Sequence, residues 1–266
     1  MSDIPLTESQ QANASGRVRR LVAWVSAAPV YAPAPADLRT MSFLGLRLPR
    51  RATVALIVVA LIMLLDYHGR VNGLVDTLVG HGDGTAADMK RVGSIGRLLL
   101  LGAVPLAIVL LGFRDRPSRY GIRIGDWRAG ITIAVLGCLV MTPIVVALAR
   151  DPAFAAYYAP LTAQPFDAFL TAALEVIPAE FFFRGFLLFA LMRVAGPSAV
   201  VIAAMPFAFA HLGKPELETV STLGGGFLFG WLDWRTGSVL WSGLAHTWIL
   251  GLVVVAAGVF AGTPPG

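Results

Sequence analysis

The 266-residue sequence is poor in charge: 14% of it is Asp, Glu, Lys or Arg, where a soluble domain carries about a quarter. With 56% hydrophobic residues and a mean hydropathy of +0.72, that scarcity excludes an ordinary soluble domain. There is a single cysteine, Cys138, which excludes an internal disulfide and, in an apolar run, reads as packing. No heptad pattern, phosphate loop or dinucleotide fingerprint is present. Gly224-Gly225-Gly226 lies in an apolar run with no Lys-Ser/Thr after it, so it is no phosphate cradle. The net charge of +5 calls for no nucleic acid, because the basic residues cluster beside apolar runs as membrane topology requires.

Long apolar runs take the place of charge. By run length they predict an all-α, polytopic transmembrane bundle of about seven spans, within about six to eight. The spans are read at Ala52–Tyr67, Ile95–Phe113, Ala129–Leu148, Phe166–Met192, Ser198–His211, Glu218–Leu232 and Gly237–Ala261. The fifth and sixth are short enough for a re-entrant or tilted pair. Gly226 and Gly230 put two small residues on one helix face, a packing signal. Three parts follow: a tail at 1–50, three N-terminal spans at 51–150, and a core of about four spans at 160–262.

In the tail, Arg17, Arg19 and Arg20 precede Leu21–Tyr31, which runs into Ala-Pro-Ala-Pro-Ala. Its end has something of a secretory cleavage site. The apolar part is short and broken by Pro29, so a disordered or interfacial cytoplasmic segment is the expectation. Seven arginines run from Arg17 to Arg51, and the loop after the second span adds Arg114, Arg116, Arg119, Arg123 and Arg128. The other side carries fewer: Arg70, Lys90, Arg91 and Arg97, then Arg150, then Lys214. The positive-inside rule therefore places the N-terminus in the cytoplasm. His81 and Asp83 sit in a Gly-rich loop at 80–84, read as solvated rather than metal-binding.

Charge reappears where it is most expensive. Pro178-Ala179-Glu180-Phe181-Phe182-Phe183-Arg184-Gly185-Phe186 lies in the middle of the fourth run. A charge at that depth costs about 2.5–3.5 kcal/mol on insertion scales. Glu180 and Arg184 are four apart and share a helix face. They read either as a structural ion pair or as part of an active site. Counted from the cytoplasmic span ends, Glu180 lies about 18 Å deep, His246 about 14 Å and His211 about 20 Å. These depths predict that the three meet at one level. A carboxylate and two imidazoles can hold and deprotonate a water, or ligate Zn²⁺ with one position open.

Glu180-Phe181-Phe182-Phe183-Arg184, then Phe207-Ala208-Phe209-Ala210-His211, then His246, resembles the CPBP family. These are intramembrane proteases related to the type II CAAX prenyl endopeptidase and to bacteriocin-processing and self-immunity proteins. The family's motifs are Glu-Glu-x-x-x-Arg, Phe-x-x-x-His, and a histidine followed four residues on by Asn or a similar polar residue. The resemblance covers about Phe166 to Ala261. It implies an intramembrane endopeptidase acting on a membrane-anchored, prenylated or precursor peptide or protein, in the lipid bilayer of a bacterial inner membrane. It makes Glu180, Arg184, His211 and His246 the site residues: Glu180 as base or ligand, the histidines on water, metal and oxyanion, Arg184 orienting Glu180. Zn²⁺ is the metal the donor set allows. Two positions depart from the pattern. The family's first glutamate falls on Ala179, and the polar residue after the last histidine falls on Leu250. Ser242, four before His246, and the carboxylates Glu175 and Glu218 are the substitutes at hand. A non-catalytic membrane scaffold or immunity-type protein of the same fold is the rival reading.

Overall fold

The structure is a computed structural model and describes residues 8–27, 29–69, 73, 75–77, 84–162 and 164–261. His81 and Asp83, and with them Arg70, lie outside the described residues. The chain opens with helix α1 (Glu8–Val25), then a two-stranded antiparallel hairpin, β1 (Thr40–Phe43) and β2 (Leu46–Pro49), in which Thr40 faces Pro49 and Phe43 faces Leu46. Among the described residues, seven apolar helices and a short one follow. They are α2 (Arg50–Tyr67), α3 (Ala86–Gly112), α4 (Trp127–Leu148), the short α5 (Pro152–Tyr158), α6, α7 (Ser198–Phe209), α8 (Glu216–Thr236) and α9 (Leu240–Ala261). Helix α6 starts as Pro165–Glu180, passes through a π-helical stretch, Phe181–Leu188, and resumes as Phe189–Ala195.

Each of the seven apolar runs lies on a helix, and the chain has an all-α, membrane-type fold. Helices α3, α4 and α9 are each long and apolar enough to cross a bilayer. Helix α3 begins at Ala86 rather than Ile95, because Thr85 caps a polar first turn by accepting the Asp88 N–H, a feature that counting apolar residues passes over. His211 falls in the turn after α7 rather than on it. The segment expected to be disordered or interfacial contains α1 and the hairpin.

Helix α6 is the axis of the fold. Every side chain from Phe181 to Arg193 is buried, which leaves this helix no lipid-facing or water-facing side over that length. Its phenylalanines and leucines pack against Ala52, Ala55 and Val59 of α2, Leu100 and Leu101 of α3, and Val200 and Ala203 of α7. The earlier part of α6 presents Ala168, Ala172 and Val176 to α9. Pro178 lies inside this helix. Proline lacks the N–H that would continue the ladder, and the π-helical stretch begins three residues later. Helices α7 and α8 approach closely through Gly226 and Gly230: a Cβ on Gly226 would sit 3.1 Å from Phe207 and 3.2 Å from Ala204.

A buried ionic knot closes one end of the bundle. Asp37 accepts from Arg51 and from Arg119 (2.6 Å). Arg51 also pairs with Asp115 at 2.8 Å, and Arg193 of α6 donates to the Arg119 carbonyl. Burial pushes the Asp37 carboxyl up, but the Ala34 N–H and the Arg51 and Arg119 guanidiniums together hold it below the ordinary carboxylate value. Nearby, Arg235 donates to the carbonyls of Trp24 (2.7 Å) and Val25 (2.9 Å) and pairs with Asp126 at 2.9 Å. These contacts fasten the N-terminal segment to the helix ends.

Candidate active site

Glu180 is the last residue before the π-helical stretch and is 0% exposed. One carboxylate oxygen, Oε1, accepts from Arg184 Nη1 at 2.8 Å and from His246 Nδ1 at 2.7 Å. The i,i+4 spacing makes the first contact and the packing of α9 against α6 makes the second. Arg184 is buried too, with its guanidinium 3.8 Å from the centre of the Phe207 ring and 5.6 Å from that of Phe229. A cation between two aromatic faces is held without water. The His246 ring stacks on Phe229 at 5.4 Å and meets Phe207 edge-on at 5.8 Å.

His211 also packs edge-on with Phe207, ring centres 4.6 Å apart. Its Nδ1 is 2.9 Å from the Phe207 carbonyl oxygen. A carbonyl only accepts, so Nδ1 carries the proton and Nε2 is left as an acceptor. The same holds at His246, whose Nδ1–H faces a carboxylate. Both histidines line a cavity of about 640 Å³ between the helices. Ala179 and Leu250 line it as well, so both departures from the family pattern fall on the cavity wall. Glu180 and Arg184 do not reach that wall. They stand behind His246.

The remaining carboxylates have their own partners. Glu175, one turn before Ala179 on α6, lines the cavity but is bound by Arg97 and by Lys90 (2.5 Å), both from α3. Glu218 accepts from the Tyr158 hydroxyl at 2.7 Å and from Lys214 at 2.8 Å, tying α8 to α5. Ser242 does not face the cavity: its hydroxyl donates to Asp233 at 2.9 Å. Asp233 is wholly buried and lies close enough to Glu180 for their charges to interact. Reading the sequence for motifs passed over Asp233, although an aspartate in the apolar run Gly230-Trp231-Leu232-Asp233-Trp234 is the kind of signal that singled out Glu180. Among the described residues, no group of three or more His, Cys, Asp or Glu side chains is placed to hold a metal ion, so the donors present do not assemble the zinc site that the resemblance allows.

Residues 161–252 match a family model described as type II CAAX prenyl endopeptidase Rce1-like. That match covers about a third of the chain and is consistent with the CPBP resemblance. No curated protein and no solved structure matches the chain. The Rce1-like match starts just before α6, ends within α9, and contains Glu180, Arg184, His211 and His246. The family is in general one of intramembrane endopeptidases, and with the apolar helices it makes this an integral membrane protein.

Proposed function

We propose that this chain is an intramembrane endopeptidase that hydrolyses a peptide bond in a membrane-anchored peptide or protein, prenylated or precursor, with His246 as general base. The observation that carries the reading is the Glu180–His246 contact at 2.7 Å. It fixes the imidazole with Nδ1–H toward a buried carboxylate and leaves Nε2 to the cavity. A carboxylate behind a histidine orients the ring and stabilises the imidazolium formed when the base takes a proton. In the reaction, His246 Nε2 takes a proton from water as the water oxygen bonds to the scissile carbonyl carbon. The C–N bond then breaks, and the same proton passes to the leaving nitrogen. His211 Nε2 is a second acceptor for that water. Arg184 holds Glu180 in place. No step is routed through a metal. The cavity is within the size range of ligand sites and takes a short peptide segment. The arginine-rich tail and the loop at 114–128 face the cytoplasm of a bacterial inner membrane in this reading.

A specific observation favours a second reading. The cavity wall shows a methyl group at Ala179 and an isobutyl group at Leu250 where the family carries polar groups, as a membrane binding protein or scaffold of the same fold would. Cleavage of a membrane-tethered reporter by the purified chain in liposomes decides between them. Cleavage by the wild type that is lost in His246→Ala supports the endopeptidase. Equal cleavage by both removes His246 from the mechanism. No cleavage by the wild type at any metal concentration supports the scaffold.

A further inference from the structure

The hairpin β1–β2 carries its most apolar side chains where nothing among the described residues covers them. Phe43, Leu44 and Leu46 are 59%, 88% and 59% exposed. Leu44 adopts φ +49 beside Gly45 at φ +82. A two-residue turn with both φ values positive favours Asn, Asp or Gly, and a leucine there is strained. The fold has no use for that leucine, since its side chain touches no core. Around the tip, Arg39, Arg47 and Arg50 are exposed, and none of their guanidiniums has an ion-pair or hydrogen-bond partner among the described residues. At the same end Arg51, Arg119 and Arg235 are all engaged by aspartates.

The position of the hairpin identifies what the tip meets. Strand β2 ends at Pro49 and α2 begins at Arg50. Helix α2 turns Leu56, Ile57, Leu61, Leu64 and Leu65 outward, each exposed, as a lipid-facing helix does. Four strand residues reach about 13 Å, so the tip lies within an interface thickness of where α2 enters the bilayer. We propose that the hairpin is a membrane-surface anchor. Phe43, Leu44 and Leu46 insert between lipids, and Arg39, Arg47 and Arg50 bind the headgroups of anionic phospholipids. Exposed apolar side chains ringed by unpaired cations fit a negatively charged bilayer surface. Helix α1 repeats the chemistry, with Val18, Leu21 and Val22 exposed on one face at helical spacing and Arg19 and Arg20 exposed beside them. The inference does not depend on the endopeptidase reading.

The test uses the full chain with Cys138→Ser and a nitroxide label on Leu44→Cys, with Ser118→Cys as the aqueous reference. The protein is placed in phosphatidylcholine vesicles with and without phosphatidylglycerol. In the anionic vesicles, oxygen should reach the label at 44 several-fold more readily than a water-soluble nickel chelate does, and the order should reverse at 118. The preference at 44 should shrink without phosphatidylglycerol, and in Arg39→Gln/Arg47→Gln. A label on Leu46→Cys repeats the reading if Leu44→Cys folds poorly. Equal access of nickel at 44 and 118 overturns the anchor. A depth indifferent to lipid charge and to both arginines overturns the headgroup contact. Strong label–label coupling between copies overturns the lipid in favour of a second copy of this chain.

Discussion

The groups around Glu180 and around Asp37 are both ionic, both buried and both built on arginine, and the first adjoins the cavity of about 640 Å³ through His246. At Asp37 the guanidiniums of Arg51 and Arg119 and the carboxylate of Asp115 satisfy one another and join the N-terminal segment to the loop before α4. At Glu180 one carboxylate oxygen takes both the Arg184 guanidinium and the His246 imidazole, and that imidazole lines the cavity. Neither cluster is paired off completely: Arg193 Nη1 in the Asp37 cluster, and Glu180 Oε2, Arg184 Nη2 and Asp233 Oδ1 in the Glu180 cluster, are buried with no hydrogen-bond partner among the described residues. What marks the Glu180 cluster is its contact with His246, which lines the cavity.

The sharpest way to break this comparison is His246→Ala. Cleavage of the tethered reporter should fall by about 10²–10⁴-fold, the range for a lost general base, while the melting temperature in detergent hardly changes, since the histidine sits on a cavity wall. A large loss of stability with cleavage per folded molecule intact would make the Glu180 cluster another structural knot. Asp37→Asn should do the reverse. It leaves Arg51 and Arg119 underpaired and should cost roughly 2–4 kcal/mol, read from denaturant or thermal unfolding, with cleavage per folded molecule unchanged.

Acid sharpens the same contrast. The folded-state value of Asp37 lies below its unfolded value, so its stabilisation is complete above the unfolded pKa, about 3.9. It is lost as pH falls through the lower folded value. The wild type should therefore lose stability below about pH 4 more steeply than Asp37→Asn, and parallel stability profiles for the two would remove Asp37 from the acid response. The smallest effect is expected from Ala179→Glu. It restores a carboxylate to the cavity wall one turn from Glu175, yet with His246 as base the cleavage rate should change only a few-fold. A rise of orders of magnitude would transfer the base role to position 179.

The helices were legible because hydrocarbon demands long apolar runs, and all seven runs lie on helices. Run length says nothing about polar helical turns, so α1, α5 and the start of α3 escaped it. It says nothing about a four-residue strand either, and the hairpin escaped as well. Matched depths anticipated the meeting of Glu180 and His246, and the structure sets them 2.7 Å apart. Depth alone could not tell which side of a helix meets the cavity. For that reason Glu180, expected as base or ligand, is found behind His246, and Ser242 faces Asp233 instead of the cavity. Glu175 faces the cavity but is held by Lys90 and Arg97, two cations whose approach depends on how α3 packs against α6 and leaves no local trace in the sequence.

The π-helical stretch Phe181–Leu188 lies between the two clusters on a single helix, with Glu180 and Arg184 at its start and Arg193 beyond it. A π turn takes in an extra residue, and each residue of an α-helix advances the side chains by about 100°. Helix α6 is thus a torsion rod with a fixed offset. Its near end aims Glu180 at His246, and its far end aims Arg193 at the Arg119 carbonyl. Were one residue deleted between Gly185 and Leu188, the rod would relax toward an even pitch and every named contact partner would still be present in the chain. One end would then face away from its partner, so the two clusters are indexed to each other by the residue count between them.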